Sequence, residues 1–265
     1  MFKFGFIGSG NMGYSMMKGL IDKYSIDDIT FNCKTEKNKV KINNEVGIKH
    51  QNNNVEVAKN SKYIILAVKP YMYNDILNEI LKELNEDKIV ISIAPGITIK
   101  RISETIGNKS RIVRVMPNTP VLVKEGMSLV SYIEEDFSQE EINEIHDMLS
   151  SFGKVKALDE KYIDMAMPVT GSSPAYVYMM IEALADGAVK LGLDRETSYE
   201  VIAQAVLGSA KMVLETGKHP AELKDNVCSP GGTTIEAVKA LEDNGFRSAL
   251  INAVEENYKK SQRLE

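Results

Sequence analysis

The sequence predicts an α/β fold in its first part and an all-helical fold in its second. Three observations carry that reading. Short apolar runs alternate with amphipathic segments over roughly the first 150 residues, the pattern of repeated βα units around a mainly parallel sheet. The first apolar run ends in a glycine-rich loop that passes directly into a helical pattern. From Lys161 onward no run reads as a strand, and alanine, methionine and leucine dominate. The expected division is residues 1–158 and residues 159–265.

Taken in order, strands are expected at 3–7, 29–32, 48–50, 63–68, 89–93, 112–116 and 128–133, with a last one at 155–158. Between them, 12–23, 36–45, 55–60, 73–84 and 99–106 carry apolar residues at helical spacing. Ser138, Gln139, Glu140 and Glu141 form a capping-box pattern that opens another helix, which Gly153 ends. In the second part, breaks at 171–174, 192, 217–220, 229–232 and 244–245 leave about five helical segments. Two consecutive segments carry small side chains: Ala183, Ala185, Gly187 and Ala188, then Ala203, Ala205, Gly208, Ser209 and Ala210. Such faces let helices approach closely, within a protomer or between two.

Composition narrows the function. The 265 residues carry a formal net charge of -5, which provides no positive field to draw the chain to nucleic acid or anionic lipid. The longest apolar runs fall far short of the roughly 20 residues that span a bilayer. No charged-then-apolar leader follows Met1, so a cytoplasmic protein is expected. Cys33 and Cys228 match no metal spacing and are expected to be free thiols. His50, His146 and His219 have no second ligand at helical spacing, so no metal site is expected.

Gly8-Ser9-Gly10-Asn11-Met12-Gly13 sits between the first strand and the first helix. In that place Gly8 permits a tight turn, Gly10 lets backbone approach a pyrophosphate, and Gly13 allows helix and strand to pack closely. The helix-start amides then face the phosphates. These features make the first part a Rossmann-type dinucleotide-binding domain. At the end of the second strand, where an Asp or Glu would take the ribose 2′-hydroxyl of NAD, the chain has Asn32, Cys33, Lys34 and Thr35. The missing carboxylate, with Lys34 and Thr35 able to meet a 2′-phosphate, favours NADPH, with NADH as the alternative. Lys34 can also be read as one solvated lysine among many.

Three further stretches stand out. Ala67, Val68, Lys69 and Pro70 close the fourth expected strand, and the run from Arg114 through Asn118 to Pro120 closes the sixth. Carboxyl ends of parallel strands are where open α/β sheets bind ligands; proline can also simply stop a strand. The third stretch, Asp225 to Thr234, contains Ser229-Pro230-Gly231-Gly232-Thr233-Thr234 just before an amphipathic helix. It places hydroxyls and unpaired amides at a helix start, which suits a carboxylate.

The glycine loop, the two strand-end motifs, Thr170-Gly171-Ser172-Ser173-Pro174-Ala175-Tyr176 and the 225–234 stretch resemble, in order and spacing, the motifs of pyrroline-5-carboxylate reductases. The resemblance covers nearly the whole chain. It implies a C-terminal dimerisation domain through which two protomers interlock, with further assembly into rings of dimers. It also implies that Gly8, Gly10, Met12 and Gly13 hold pyrophosphate, with Asn11 among the cofactor-binding residues, that Asn54 lies on the adenosine side, and that Lys69, Pro70 and Asn118 line the nicotinamide side. Ser229, Gly231, Gly232, Thr233 and Thr234 would hold the substrate carboxylate and imine, with Asn226 reaching the cofactor. Cys228 stands where another small residue is common, and Thr233 where alanine also occurs.

Ser229 and Thr234 are the expected catalytic residues. No Asp, Glu or His lies between Ser229 and Thr234 to donate a proton. The expected reaction therefore takes the substrate as its iminium, or protonates it from water, while Thr234 orients the ring nitrogen. Two rival readings are a 3-hydroxyacid dehydrogenase, whose catalytic lysine has no counterpart at suitable spacing here, and a dinucleotide sensor without turnover. The intact 229–234 run argues against the sensor.

Overall fold

A computed structural model describes residues 1–262; the last three residues of the expected helical domain lie outside the described ones. The chain forms two compact units, Met1–Gly171 with the segment from Tyr258, and Ser172–Asn257.

The first unit is built on a seven-stranded sheet. In chain order it contains β1 (Phe2–Ile7), α1 (Asn11–Leu20), β2 (Ile29–Asn32), α2 (Glu36–Val46), α3 (Asn54–Asn60), β3 (Ser61–Leu66) and α4 (Tyr73–Ile80). Then follow β4 (Ile89–Ser92), α5 (Ile99–Ile106), β5 (Arg111–Met116), β6 (Gly126–Tyr132), α6 (Gln139–Ser150), β7 (Gly153–Ala157) and α7 (Ile163–Thr170). The order across the sheet is β2-β1-β3-β4-β5-β6-β7. β1 to β5 run parallel, and β6 pairs antiparallel with β5. The chain passes from β1 to β2 on one side and returns to β3 on the other, so a topological switch point opens beside the carboxyl end of β1.

Strand alternation sorts the core onto two faces. Phe4, Phe6, Phe31, Tyr63 and Ile65 bury on one face under α1 and α6 with Met16, Leu20, Met148 and Phe152. Ile7, Ile64, Leu66 and Val90 bury on the other with Ile76, Ile80 and Ile102 of α4 and α5. The capping box is formed: Ser138 accepts from the Glu141 amide while the Glu141 carboxylate takes the Ser138 N–H.

One expectation changes. Residues 48–50 make no strand; a single bridge joins Phe31 to His50. The segment follows Gly47 in the left-handed region and runs at once into polar residues, with Asn53 capping α3, so only one residue is left to pair. α7 belongs to the first compact unit. Ile163 of α7 is fully buried against Met116 and Leu129, so the first helix after the sheet packs on β5 and β6.

The second unit is helical throughout: α8 (Ser173–Lys190), α9 (Arg195–Thr216), α10 (Pro220–Val227), α11 (Thr233–Asp243) and α12 (Phe246–Ser261), the last running on into the first unit's segment. Asp194 caps α9 by accepting from the Thr197 amide. No helix among the described residues is long and apolar enough to cross a membrane.

Candidate active site

The glycine loop lies at the switch point. Gly8 has φ 99°, a region favoured by glycine, and its N–H donates to the Asn32 carbonyl at 2.8 Å. A Cβ there would strike the Ala67 carbonyl at 2.4 Å and Val68 at 2.7 Å. A Cβ on Gly13 would meet Ala67 Cβ and the Gly8 carbonyl, both at 2.9 Å. The fold thus brings Gly8, Gly13, Ala67 and Val68 together across β1 and β3, joined by the Ala67 N–H donating to Ile7 at 2.8 Å.

Gly10 differs, since a Cβ there would meet nothing within 4 Å. It is the N-cap of α1, and no side chain caps that helix. The first amides of α1 therefore face open space at the positive end of the helix dipole. Ser9 Oγ beside them is buried without a partner. A pocket of about 130 Å³ opens here, lined by Ser9, Gly10, Asn11, Tyr14, Asn38 and Lys41. Tyr14 donates to Glu45 at 2.6 Å, and this hydrogen bond, with burial, holds its hydroxyl above the usual phenol range. Lys41 lies 4.9 Å from the Tyr14 ring centre. An uncapped helix start, an orphan hydroxyl and an open glycine fit a dinucleotide pyrophosphate.

Asn32, at the end of β2, donates through Nδ2 to Asn54 Oδ1 at 2.8 Å, and Asn54 Nδ2 donates to Glu79 at 2.8 Å. Asn32 Oδ1 is buried and unpaired. Lys34 is exposed. Lys69 caps the turn Pro70–Met72 through its backbone. Asn118 is engaged at both ends: Nδ2 donates to the Thr170 carbonyl at 3.0 Å, and Oδ1 accepts from the Met127 amide at 2.9 Å. It ties the loop after β5 to the last turn of α7. Arg114, fully buried on β5, clamps the turn before α7 through Glu160 at 3.2 Å and the first turn of α7 through Asp164 at 2.5 Å.

In the helical unit, Ser229, Gly231, Gly232, Thr233 and Thr234 form one turn at the start of α11. Gly231 has φ 68°, and Gly232 N–H donates to the Ser229 carbonyl at 3.0 Å. A Cβ on Gly232 would lie 2.4 Å from Ser229 Oγ, so only glycine lets the serine side chain fold over the helix start. No side chain caps α11. Asn226 lies exposed in the last turn of α10. Each unit thus presents an uncapped helix N-terminus. Glu79 and Ser9 were missed by sequence reasoning: no motif marks the first, and the second lies inside the glycine loop.

Comparison with known proteins supplies the family. Residues 160–264 match the model of pyrroline-5-carboxylate reductase dimerisation. Residues 3–96 match a model described as NADP oxidoreductase, coenzyme F420-dependent. Over 264 residues the chain is 43% identical to the pyrroline-5-carboxylate reductase of Escherichia coli strain K12, covering 99% of this chain and 98% of that one. This chain belongs to the pyrroline-5-carboxylate reductase family. The solved pyrroline-5-carboxylate reductase from Coxiella burnetii is similar with a TM-score of 0.91 and 33% identity, covering 99% of this chain and 98% of the other. The Plasmodium falciparum enzyme, solved with NADP bound, is similar with a TM-score of 0.89 and 34% identity, covering 99% and 97%. Family membership agrees with the resemblance read from the motifs and leaves the 3-hydroxyacid dehydrogenase and the sensor without support.

Proposed function

We propose that this chain reduces the C=N bond of 1-pyrroline-5-carboxylate to L-proline, the last step of proline biosynthesis, using NAD(P)H. The full-length identity to the Escherichia coli reductase carries the reading. The uncapped starts of α1 and α11 support it, one suited to pyrophosphate and the other to a carboxylate.

A bound dihydronicotinamide supplies the hydride. Gly8, Gly10, Asn11, Met12 and Gly13 hold the pyrophosphate, and Asn32, Lys34 and Asn54 take the adenosine side. Ala67, Val68, Lys69, Pro70 and Asn118 shape the nicotinamide side; Asn118 acts by fixing its loop, since its amide is already spent. Asn226 reaches toward the cofactor. The amides of Thr233 and Thr234, with Ser229, hold the substrate carboxylate, and Gly231 and Gly232 shape the turn that carries them, the Gly232 amide being tied to the Ser229 carbonyl. Thr234 orients the ring nitrogen through its hydroxyl, and the substrate enters as the iminium or takes its proton from water. Catalysis rests on positioning two reactants rather than on an acid–base pair.

NADPH is the preferred cofactor, because Asn32 brings no negative charge to meet a 2′-phosphate and Lys34 stands exposed nearby. The helical unit pairs two protomers as a homodimer, and rings of dimers extend that assembly. Free Cys33 and Cys228 suit a cytoplasmic location. The test is steady-state oxidation of NADPH and of NADH at matched concentration, with pyrroline-5-carboxylate and a 3-hydroxyacid compared. Turnover that depends on the cyclic imine, and is faster with NADPH, is expected. Turnover with the hydroxyacid alone contradicts the reading.

A further inference from the structure

The Asn32–Asn54–Glu79 chain has a direction. An ionised carboxylate only accepts hydrogen bonds, whereas each asparagine amide both donates and accepts. Glu79 therefore requires Asn54 to turn its Nδ2 outward along α4, at 2.8 Å, and to point its Oδ1 at Asn32. Asn32 must answer with Nδ2, at 2.8 Å, which leaves its own Oδ1 as the surplus group. That oxygen is buried and without a partner, a state that costs stability in a finished structure. It stands at the carboxyl end of β2, where dinucleotide folds place the group that meets the adenosine ribose.

We propose that Glu79 is a positioning residue: by setting the direction of the Asn32–Asn54 amide pair, it makes Asn32 present its carbonyl as the acceptor for an adenosine ribose hydroxyl. The inference rests on the dinucleotide reading above. Asn32 then does without charge what a carboxylate does at this place. Both NADH and NADPH keep at least one ribose hydroxyl to donate, so the relay serves either, and the preference for NADPH comes from the missing charge at Asn32 together with Lys34.

The relay predicts a change of sign. Glu79→Gln can accept or donate, so the amide pair is free to reverse and offer Asn32 Nδ2 instead. The Kd of NADH should rise about two- to fivefold, the loss of one oriented neutral hydrogen bond being small. In an Asn32→Asp background the demand is inverted, because a carboxylate at position 32 needs a donor from Asn54, and the Asn54 carbonyl then faces residue 79. There a carboxylate conflicts and an amide fits, so adding Glu79→Gln should leave Kd unchanged or lower it.

The measurement is direct binding of NADH by calorimetry to the parent, both single variants and the double variant, with thermal melting of each. A rise in Kd on Glu79→Gln in the parent and none in the Asn32→Asp background supports the relay. Equal rises in both backgrounds, or no change in the parent, overturn it. So does a lower melting temperature in both backgrounds with no background-dependent shift in Kd, which is what a packing role for Glu79 would give. A parent that binds no dinucleotide overturns the cofactor reading itself.

Discussion

In the sheet unit Phe4, Phe6, Ile65 and Ile91 are wholly shielded from solvent, whereas in the helical unit Leu191 is 91% exposed and Leu214 78% exposed. Only Ala185 and Ser198 are fully buried among α8 and α9, and a Cβ on Gly187 or Gly208 would meet nothing within 4 Å. The small-residue faces read from the sequence are therefore largely open in one chain. A surface of that kind fits the proposed pairing with a second copy, while the sheet unit closes its own core on both faces. The glycine loop proposed to hold the cofactor accordingly sits on a unit that closes its own core, and the 229–234 loop proposed to hold the substrate sits on a unit whose apolar faces stay open in a single chain.

The largest effect should come from charging the open helical faces. Met179→Glu with Leu214→Glu places two carboxylates on exposed apolar positions of α8 and α9. Burying even one unpaired charge costs several kcal/mol, so the dimer dissociation constant should rise at least about a hundredfold. Light scattering should report a dimer or larger for the parent at micromolar concentration and a monomer for the variant. A parent that is monomeric breaks the comparison.

Next in size is a change inside the sheet unit. Lys88, only 5% exposed, donates to the carbonyls of Ala58, Lys59 and Ser61 and so closes the end of α3. Burial holds its ammonium below the usual lysine range. Lys88→Met removes all three donors and should lower stability by about 2–3 kcal/mol. Urea unfolding should show an earlier midpoint, with oligomeric mass unchanged at low denaturant.

The smallest effect is a pH dependence. Burial alone would raise Glu144, but hydrogen bonds from Tyr63, Lys62 and Lys3 outweigh it and bring its carboxyl from 4.5 down to about 2. A carboxyl lowered on folding adds stability that is complete above its unfolded value and is lost as pH falls through the folded one. After allowance for solvent screening, Glu144→Gln should cost about 1–2 kcal/mol at pH 7. The gap between parent and variant should narrow below pH 4.5 and close near pH 2, as followed by melting across that range.

Legibility followed how local each cause is. The glycine loop could be read because Gly8, Gly10 and Gly13 recur at a short fixed spacing between strand and helix, even though Ala67 and Val68 that crowd two of them lie far along the chain, and the Ser138–Glu141 box because both partners lie in one helix start. Residues 48–50 misled because β-propensity says nothing of the polar run that follows. The place of α7 depends on Ile163 meeting Met116 and Leu129, a contact between distant stretches. The same holds for Glu79, which no motif marks and which reaches Asn54 only because α3 and α4 pack together.

The proposed division of labour between the units is tested most directly at Thr234, in the helical unit's loop proposed to hold the substrate. Thr234→Val keeps the shape and loses the hydroxyl. A hydrogen bond to a charged group is worth about 1.5–3 kcal/mol, so kcat/KM for pyrroline-5-carboxylate should fall by roughly one to two orders of magnitude. Thr234→Ser should retain most activity, and the Kd of NADPH should be unchanged in both. If Thr234→Val melts earlier yet reduces pyrroline-5-carboxylate at the parental rate, or loses NADPH affinity with its activity, the account of two separate half-sites is contradicted.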